Sequence, residues 1–406
     1  MADFARSAHP AVQAQLDRLA QLSPLGDRLG LERIGELLER LGRPQDALPP
    51  VLHVAGTNGK GSTCAFLRAA LEASDRTVHM FTSPHLVRFN ERIRIAGRLI
   101  EDEALAARLK EVLDASDGIE PSFFEVATAT AFLAFERTPA DACIVEVGLG
   151  GRLDATNVLE HPLVCGIAAI GFDHEQFLGS DIAAIATEKA GIGKSGRPLV
   201  ALAQPAEAEA ALIAAAAEHG AILHLEGRDW TIDRAMAPSL AGVHQLRNAN
   251  LAWQMLRSQD SLAVDRSAFD VGIAGAHWPA RFQKLADGPL TGGFETWVDG
   301  AHNEDAAAAL AQLLAGRGAM HLVLGLLANK DAGAIVTRLA PHALSLTFVP
   351  VGEHEHHDPA GLAERFGGRA AGTLAKALDG LSAPRLIAGS LYLAGEALAA
   401  NNEAPA

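Results

Sequence analysis

Cysteine, net positive charge and long apolar runs are all scarce in this sequence, and each shortage removes a class of function. Only three cysteines occur, Cys64, Cys143 and Cys165, and no two are close in sequence. Such a set builds neither a disulfide framework nor a zinc ribbon, and it suits a reducing compartment. Lys and Arg number 34 against 49 Asp and Glu, a net charge of −15. General binding to nucleic acid or to an anionic membrane needs basic surface, so neither is expected. A small anionic ligand remains open, because it needs only local positive charge. No run approaches the roughly 20 apolar residues of a membrane span. The N-terminal MADFARSAHPAVQAQ lacks an apolar signal core. The alanine-rich AEAEAALIAAAAEHG (206–220) is short and flanked by acids, and reads as an ordinary soluble helix. The expected location is the cytoplasm. There is no internal repeat and no low-complexity tract beyond alanine enrichment.

What is present is enough apolar side chain, 49% of 406 residues, for sizeable cores and two domains. Short β-prone runs alternate with helical patterns: VLHVA (51–55), TVHMFT (77–82), ACIVEVG (142–148), LVCGIAAIG (163–171) and PLVALA (198–203). This alternation predicts a mostly parallel sheet with helices on both faces. After residue 278, WPARFQKLADGPLTGG interrupts the rhythm with Pro and Gly. A second series follows: FETWVDG (294–300), MHLVLGLL (320–327), LSLTFVPV (344–351) and RLIAGS (385–390), with helical stretches such as EDAAAALAQLLAG (304–316) between them. The boundary is expected near 284–292.

Between the first strand and the helical STCAFLRAALEASD stands GTNGKGS, residues 56–62. Strand, glycine-rich turn and helix make a phosphate cradle: glycines admit the anion to the backbone, helix N-terminal amides point at it, and a lysine adds a point charge. Gly56, Thr57, Asn58, Gly59, Lys60, Gly61 and Ser62 are the candidate nucleotide residues. The spacing departs from GxxxxGK[ST], with Val54 at the first glycine position and Gly61 between Lys60 and Ser62. An ordinary tight turn is the alternative.

Further clusters surround it. TSPHLVRFNERIRI (82–95) offers the Ser83 hydroxyl to a cation and Arg88, Arg92 and Arg94 to an anionic substrate, or else is a solvated basic strand–loop. CIVEVGLGGRLDATN (143–157) puts Glu146 inside an apolar strand, where a carboxylate is costly unless paired or bound to a cation. Magnesium, which takes oxygen ligands, is one solution and a core ion pair the other. IGFDHEQFLG (170–179) places Asp173 and His174 just past a strand, where ligands gather in open parallel sheets. ATEKAGI (186–192) carries Lys189 on a short helix.

The set GTNGKGS, TSPHLVRFNERIRI, VEVGLGGRLDATN, FDHEQFLG, EKAGI, PARFQ and DGAHN resembles the folylpolyglutamate synthase/dihydrofolate synthase family of Mur-type, ATP-dependent amide ligases. It runs from about residue 27 to 392, with the motifs in family order. The resemblance implies an N-terminal P-loop-type, doubly wound, mostly parallel domain (1–285) and a smaller C-terminal Rossmann-like α/β domain (286–406) that closes over the nucleotide. It implies magnesium at Ser83, Glu146, His174 and a carbon dioxide-modified Lys189, although imidazole is an unusual partner for that ion. An unmodified Lys189 paired with Glu146 is the alternative. ATP contacts fall on Asn248, Arg281 and Asp299 as well as the loop. His302 matches the family's approach to the transferred phosphoryl group, and Asn303 also reads as a helix cap.

On the pterin side, GDRLGLERI resembles the family's N-terminal loop, with Asp27, Arg28 and Leu29. Leu153, Asp154 and Ala155 match a loop that contacts dihydropteroate. Phe123 and Phe124 suit stacking on a flat heterocycle or plain core packing, and Ser390 is a candidate contact to glutamate. The implied reaction activates the carboxylate of dihydropteroate, or of a reduced folate, as an acyl phosphate and then couples L-glutamate, in a monomer. A folylpolyglutamate synthase alone is one alternative. A Mur ligase of cell-wall synthesis is another, disfavoured because 55 residues before the loop are too few for a UDP-sugar domain. A non-ligase ATP-binding switch has no use for a second substrate lobe. GEHEHHDP (352–359) belongs to none of these motifs and reads as a transition-metal site or a solvated loop.

Overall fold

The computed structural model describes residues 5–22, 29–382 and 384–405, and the chain divides into two compact units. The first comprises the chain up to Ser239 together with Leu246–Ala276, and the second Leu240–Gln245 with His277–Pro405. Asp27 and Arg28 lie outside the described residues.

The first unit holds strands β1 (Val51–Ala55), β2 (Val78–Phe81), β3 (Ile93–Ile95), β4 (Arg98–Leu99), β5 (Ala142–Glu146), β6 (Val164–Ile167), β7 (Pro198–Ala201) and β8 (Ile222–Leu225). They form one sheet in the order β4-β3-β2-β5-β1-β6-β7-β8. All pairings are parallel except those of the β2-β3-β4 edge. Every residue of β1, β2 and β5 is buried, which is why these runs read as continuous apolar segments rather than alternating ones. The β3–β4 hairpin has no such signature. It turns on Ala96 and Gly97, both at positive φ, and in the sequence its arginines read only as a basic strand–loop. Chain order reverses about β1, whose neighbours are β5 and β6, so the loops leaving the carboxyl ends of these strands open a crevice there.

The second unit holds β9 (Gln283–Lys284), β10 (Thr296–Val298), β11 (Met320–Leu324), β12 (Ala343–Phe348), β13 (Arg369–Ala370) and β14 (Arg385–Ala388), in the order β13-β12-β11-β14-β10-β9. Only β9 runs antiparallel. The division at 285/286 leaves β9 with the first domain, whereas its two residues pair with Trp297 and Val298 of the second sheet. A two-residue strand has no periodicity to read. The helices expected over 206–220 and 304–316 are Ala206–Glu218 and Glu304–Ala315.

Candidate functional site

The turn after β1 is held as a cradle by its own backbone. Gly56 and Gly59 sit at φ 150° and 94°, the second in the left-handed region that favours glycine. Thr57 N and Asn58 N both donate to Ala169 O, at 2.8 and 3.1 Å. Thr57 Oγ1 donates to Gly171 O at 3.0 Å, so the turn is pinned to the loop leaving β6. The helix Lys60–Glu72 begins at once, capped by Gly59 with no side-chain cap. Its leading amides, those of Lys60, Gly61 and Ser62, have no helical carbonyl to bond. A Cβ on Gly59 would lie 2.4 Å from Asn248 Oδ1, so buried Asn248, on the helix Val243–Arg257, rests against the turn.

Two lysine amines converge on one carbonyl of this turn. Lys60 Nζ donates to Gly56 O at 3.0 Å and to Thr57 O at 3.4 Å, and Lys189 Nζ donates to the same Gly56 O at 3.2 Å. Lys189 is 4% exposed, near the end of the helix Ile182–Ala190. Burial, reinforced by the charge of Lys60, pulls its amine down to about 7, against the opposite influence of Asp173 and Asp154. The helix is seated by glycines: a Cβ on Gly151 would meet Glu188 O at 2.6 Å, and Arg152 N donates to Glu188 O at 2.7 Å.

Glu146 closes β5, directly beside Val54 of β1, and is 3% exposed. Ser83 N approaches its Oε2 at 3.4 Å. His174 is exposed, at φ 54°, on a loop whose backbone is tied to Asp173 Oδ1 by a 2.8 Å bond from His174 N. The structure thus brings Lys60 and Lys189 to one shared acceptor, Gly56 O, and the Ser83 amide to Glu146. Among the described residues no three His, Cys, Asp or Glu cluster as a metal centre. The expected magnesium set contains only two residues of those types.

The arginines of the basic segment have partners within the fold. Arg88 pairs with Asp102 at 2.9 Å; buried Arg92 donates to His85 Nδ1 at 2.8 Å with its guanidinium 5.2 Å from the Phe123 ring; Arg94 closes the hairpin through Gly97 O at 2.9 Å. A run of cations in the sequence cannot reveal partners brought up by the fold.

On the pterin side, Asp154 is buried and caps the short 3₁₀ turn Ala155–Val158. Burial raises its carboxyl, while bonds from Thr156 and from the Leu149 and Gly148 amides oppose that shift. Leu153 is half-buried, Ala155 is buried, and Gly30 N reaches Leu153 O at 3.4 Å, which brings the segment beginning at Leu29 to this loop. Phe124 lies on Gly148, where a Cβ would be 2.4 Å from its ring, and Phe123 meets Phe89 edge-on at 5.8 Å. Both rings are half-buried and pack against the apolar core.

In the second unit, half-buried Asp299 follows β10 and accepts from Phe282 N at 2.7 Å and Ala301 N at 2.8 Å. Burial raises its carboxyl and the Arg281 charge draws it back. Arg281 Nη1 donates to Ala280 O at 3.0 Å. His302 Nδ1 lies 2.8 Å from Gly300 O, which can only accept, so that nitrogen carries the hydrogen. Asn303 caps Glu304–Ala315 through Ala306 N at 2.9 Å. Ser390 is fully buried and caps Leu391–Ala400 through Tyr392 N at 3.1 Å.

The GEHEHHDP histidines diverge. His354 stacks on Tyr392 with centroids 3.7 Å apart, His356 Nδ1 bonds His354 O at 2.7 Å, and His357 Nε2 bonds Lys330 O at 2.8 Å. Sequence reading overlooked His53, which lies hidden in the apolar run VLHVA: it is fully buried, with Nε2 2.8 Å from Thr156 Oγ1. A polar side chain in a doubly covered strand is the signal that marks it.

No family model matches the chain. Among curated proteins it is 37% identical over 356 residues to the dihydrofolate synthase/folylpolyglutamate synthase of Bacillus subtilis, covering 80% of this chain and 81% of that one. Among solved structures, the Escherichia coli enzyme in complex with DHPP and ADP superposes with a TM-score of 0.87 at 31% identity, over 97% of each chain. The bifunctional folylpolyglutamate synthase/dihydrofolate synthase of Yersinia pestis, complexed with AMPPNP and Mn ion, gives 0.87 at 29% identity, over 98% of this chain and 99% of that one.

Proposed function

The chain belongs to the dihydrofolate synthase/folylpolyglutamate synthase family, and on that premise we propose that it is a bifunctional ligase that adds L-glutamate to dihydropteroate and to the γ-carboxylate of reduced folates. ATP is split to ADP and phosphate. The observation that carries the reading is the meeting of Lys60 and Lys189 on the Gly56 carbonyl, at the mouth of an uncapped helix and one strand from buried Glu146.

A carboxylate oxygen of the pterin substrate attacks the γ-phosphorus of ATP, and the bond to the β-phosphate oxygen breaks with its electron pair leaving on ADP. The neutral amine of L-glutamate then adds to the acyl carbon, phosphate departs, and the amine's surplus proton is lost. The amides of residues 56–62 and the Lys60 charge hold the phosphates in line. Asn248, Arg281 and Asp299 contact ATP, and His302 meets the transferred group. Asp154 with Leu153 and Ala155, the half-buried faces of Phe123 and Phe124, and the segment at Asp27, Arg28 and Leu29 receive the pterin, while Ser390 lies toward glutamate.

Ser83, Glu146, His174 and a carbamylated Lys189 would hold magnesium. The buried Glu146 carboxylate and the Ser83 hydroxyl are hard oxygen donors that fit it. A divalent ion bound there neutralises charge on the phosphoryl oxygens. Carbamylation is supported by the depressed Lys189 amine: at about 7, roughly half is neutral at pH 7, against about one in a few thousand for an ordinary lysine. Carbon dioxide bonds to that nitrogen's lone pair, a proton is released, and an ammonium becomes an oxygen ligand.

The enzyme is read as a cytoplasmic monomer. That fits its three buried free thiols and the lack, among the described residues, of a helix long and apolar enough to cross a membrane. Mass spectrometry of products from dihydropteroate, tetrahydrofolate and L-glutamate with Mg-ATP tests the reading. Both pterins should gain glutamate. Extension of tetrahydrofolate alone removes the dihydrofolate synthase half, and ADP release that ignores both pterin and glutamate removes the ligase.

A further inference from the structure

We propose that His53 is a positioning residue for the pterin side of the site, fixing Asp154 through Thr156 from the middle of β1. The proposal rests on the reading of Asp154 as a pterin contact.

His53 is fully buried, flanked in register by Val145 of β5 and Cys165 of β6. A leucine would fill this place in the sheet without polar atoms, so the imidazole is there for a bond. Its Nε2 lies 2.8 Å from Thr156 Oγ1. The Thr156 hydroxyl in turn bonds Asp154 Oδ1, and Thr156 N donates to the same oxygen at 3.0 Å. The other carboxylate oxygen, Oδ2, accepts Leu149 N at 2.8 Å.

The direction of this chain follows from hydrogen counting. With Asp154 ionised, as the four hydrogen bonds it accepts favour, the carboxylate only accepts, so the single hydroxyl hydrogen of Thr156 points at Asp154. What remains on that oxygen is lone pairs, so His53 Nε2 must carry the hydrogen it offers. His53 Nδ1 is then a bare acceptor, and it is the ring nitrogen left buried without a partner. Burial, with the nearby Lys194 charge adding to it, pushes the imidazole down to about 3, so the ring is neutral throughout the physiological range. The result is a one-way relay, His53 to Thr156 to Asp154. It holds the threonine in the rotamer whose hydroxyl joins the backbone amide on Asp154 Oδ1, and leaves the carboxylate one orientation in the loop beside Gly30.

The test compares His53→Leu, which keeps the apolar volume and loses the donor, with His53→Gln, whose amide can place N–H near the Nε2 position. His53→Leu should raise KM for dihydropteroate by about tenfold, the effect of one well-placed hydrogen bond, while KM for ATP moves less than about twofold. His53→Gln should recover most of the loss. The double variant His53→Leu/Thr156→Val should be no worse than Thr156→Val alone, and nitrogen NMR of the wild type should find Nδ1 unprotonated. An unchanged dihydropteroate KM in His53→Leu overturns the proposal. So does a parallel rise in both KM values with a lowered melting temperature, which marks a merely structural residue. Asp154→Asn separates the two layers. If it leaves dihydropteroate KM unchanged, the pterin role of Asp154 fails. If it raises KM and His53→Leu does not, only the relay fails.

Discussion

After β1, the chain passes through GTNG into a helix that starts at Lys60, capped by a glycine and by no side chain. After β10, it passes through DGAH into a helix capped by Asn303, with Glu304 and Asp305 in its first turn. The topology is the same and the chemistry opposite. At the first junction the leading helix amides and two lysines meet with no acidic side chain in the helix's first turn. At the second, the cap satisfies an amide internally and two acids repel anions from the same end. The second junction therefore presents side chains, Asp299 and His302, held in place by backbone bonds. One scaffold yields a phosphate cradle or a self-capped turn according to a handful of residues at the cap.

Substitutions can break this contrast. The largest effect is expected at the cradle: Lys189→Ala should lower turnover by about a thousandfold, the scale of losing a preorganised charge at phosphoryl transfer. Near-normal rates in steady-state assays would take Lys189 and the proposed carbamate out of the chemistry. Gly59→Ala should follow, because a Cβ there both strains a left-handed residue and strikes Asn248. Its kcat/KM for ATP should fall by about tenfold or more, read by varying ATP at saturating glutamate.

A smaller signature is thermodynamic. Folding lowers the Lys189 amine to about 7, so the folded chain holds fewer protons than the unfolded one between about pH 7 and the unfolded value near 10.4. Without carbon dioxide, stability contributed by this group should rise with pH across that window and level off below about 7, where both states are protonated and the burial penalty is complete. Urea midpoints against pH should lose this increment in Lys189→Met. Least of all, Asn303→Ala should cost about 1 kcal/mol of stability, a lost cap, with turnover nearly intact. A cap variant that damaged turnover as severely as Lys189→Ala would erase the distinction between the junctions.

Legibility in the sequence followed burial. β1, β5 and β11 are apolar runs whose strand character survives any neighbour, and their bounds lie within or on the stretches that periodicity picks out. The cradle was readable for a related reason, since its glycines and lysine are contiguous. What resisted reading was contributed by pairing at a distance. β9 exists through Trp297 and Val298, the β3–β4 edge through a turn at Ala96 and Gly97, and Arg88 meets Asp102. The histidines of GEHEHHDP looked like a metal cluster because sequence proximity says nothing of direction, and their rings point to Tyr392 and to separate carbonyls.

By itself the sequence determined the buried strands and the longer helices, that a glycine-rich turn with a lysine follows the first strand, and which family the motifs belong to. Those properties reside in residues next to one another, where side-chain volume and backbone freedom act locally. Tertiary structure alone decided that Lys189, 133 residues from Gly56, donates to its carbonyl, and that His53 bonds Thr156 across 103 residues. It also decided that Lys189 carries a depressed amine. Such facts depend on desolvation and on bonds between strands brought side by side, and no local pattern encodes either.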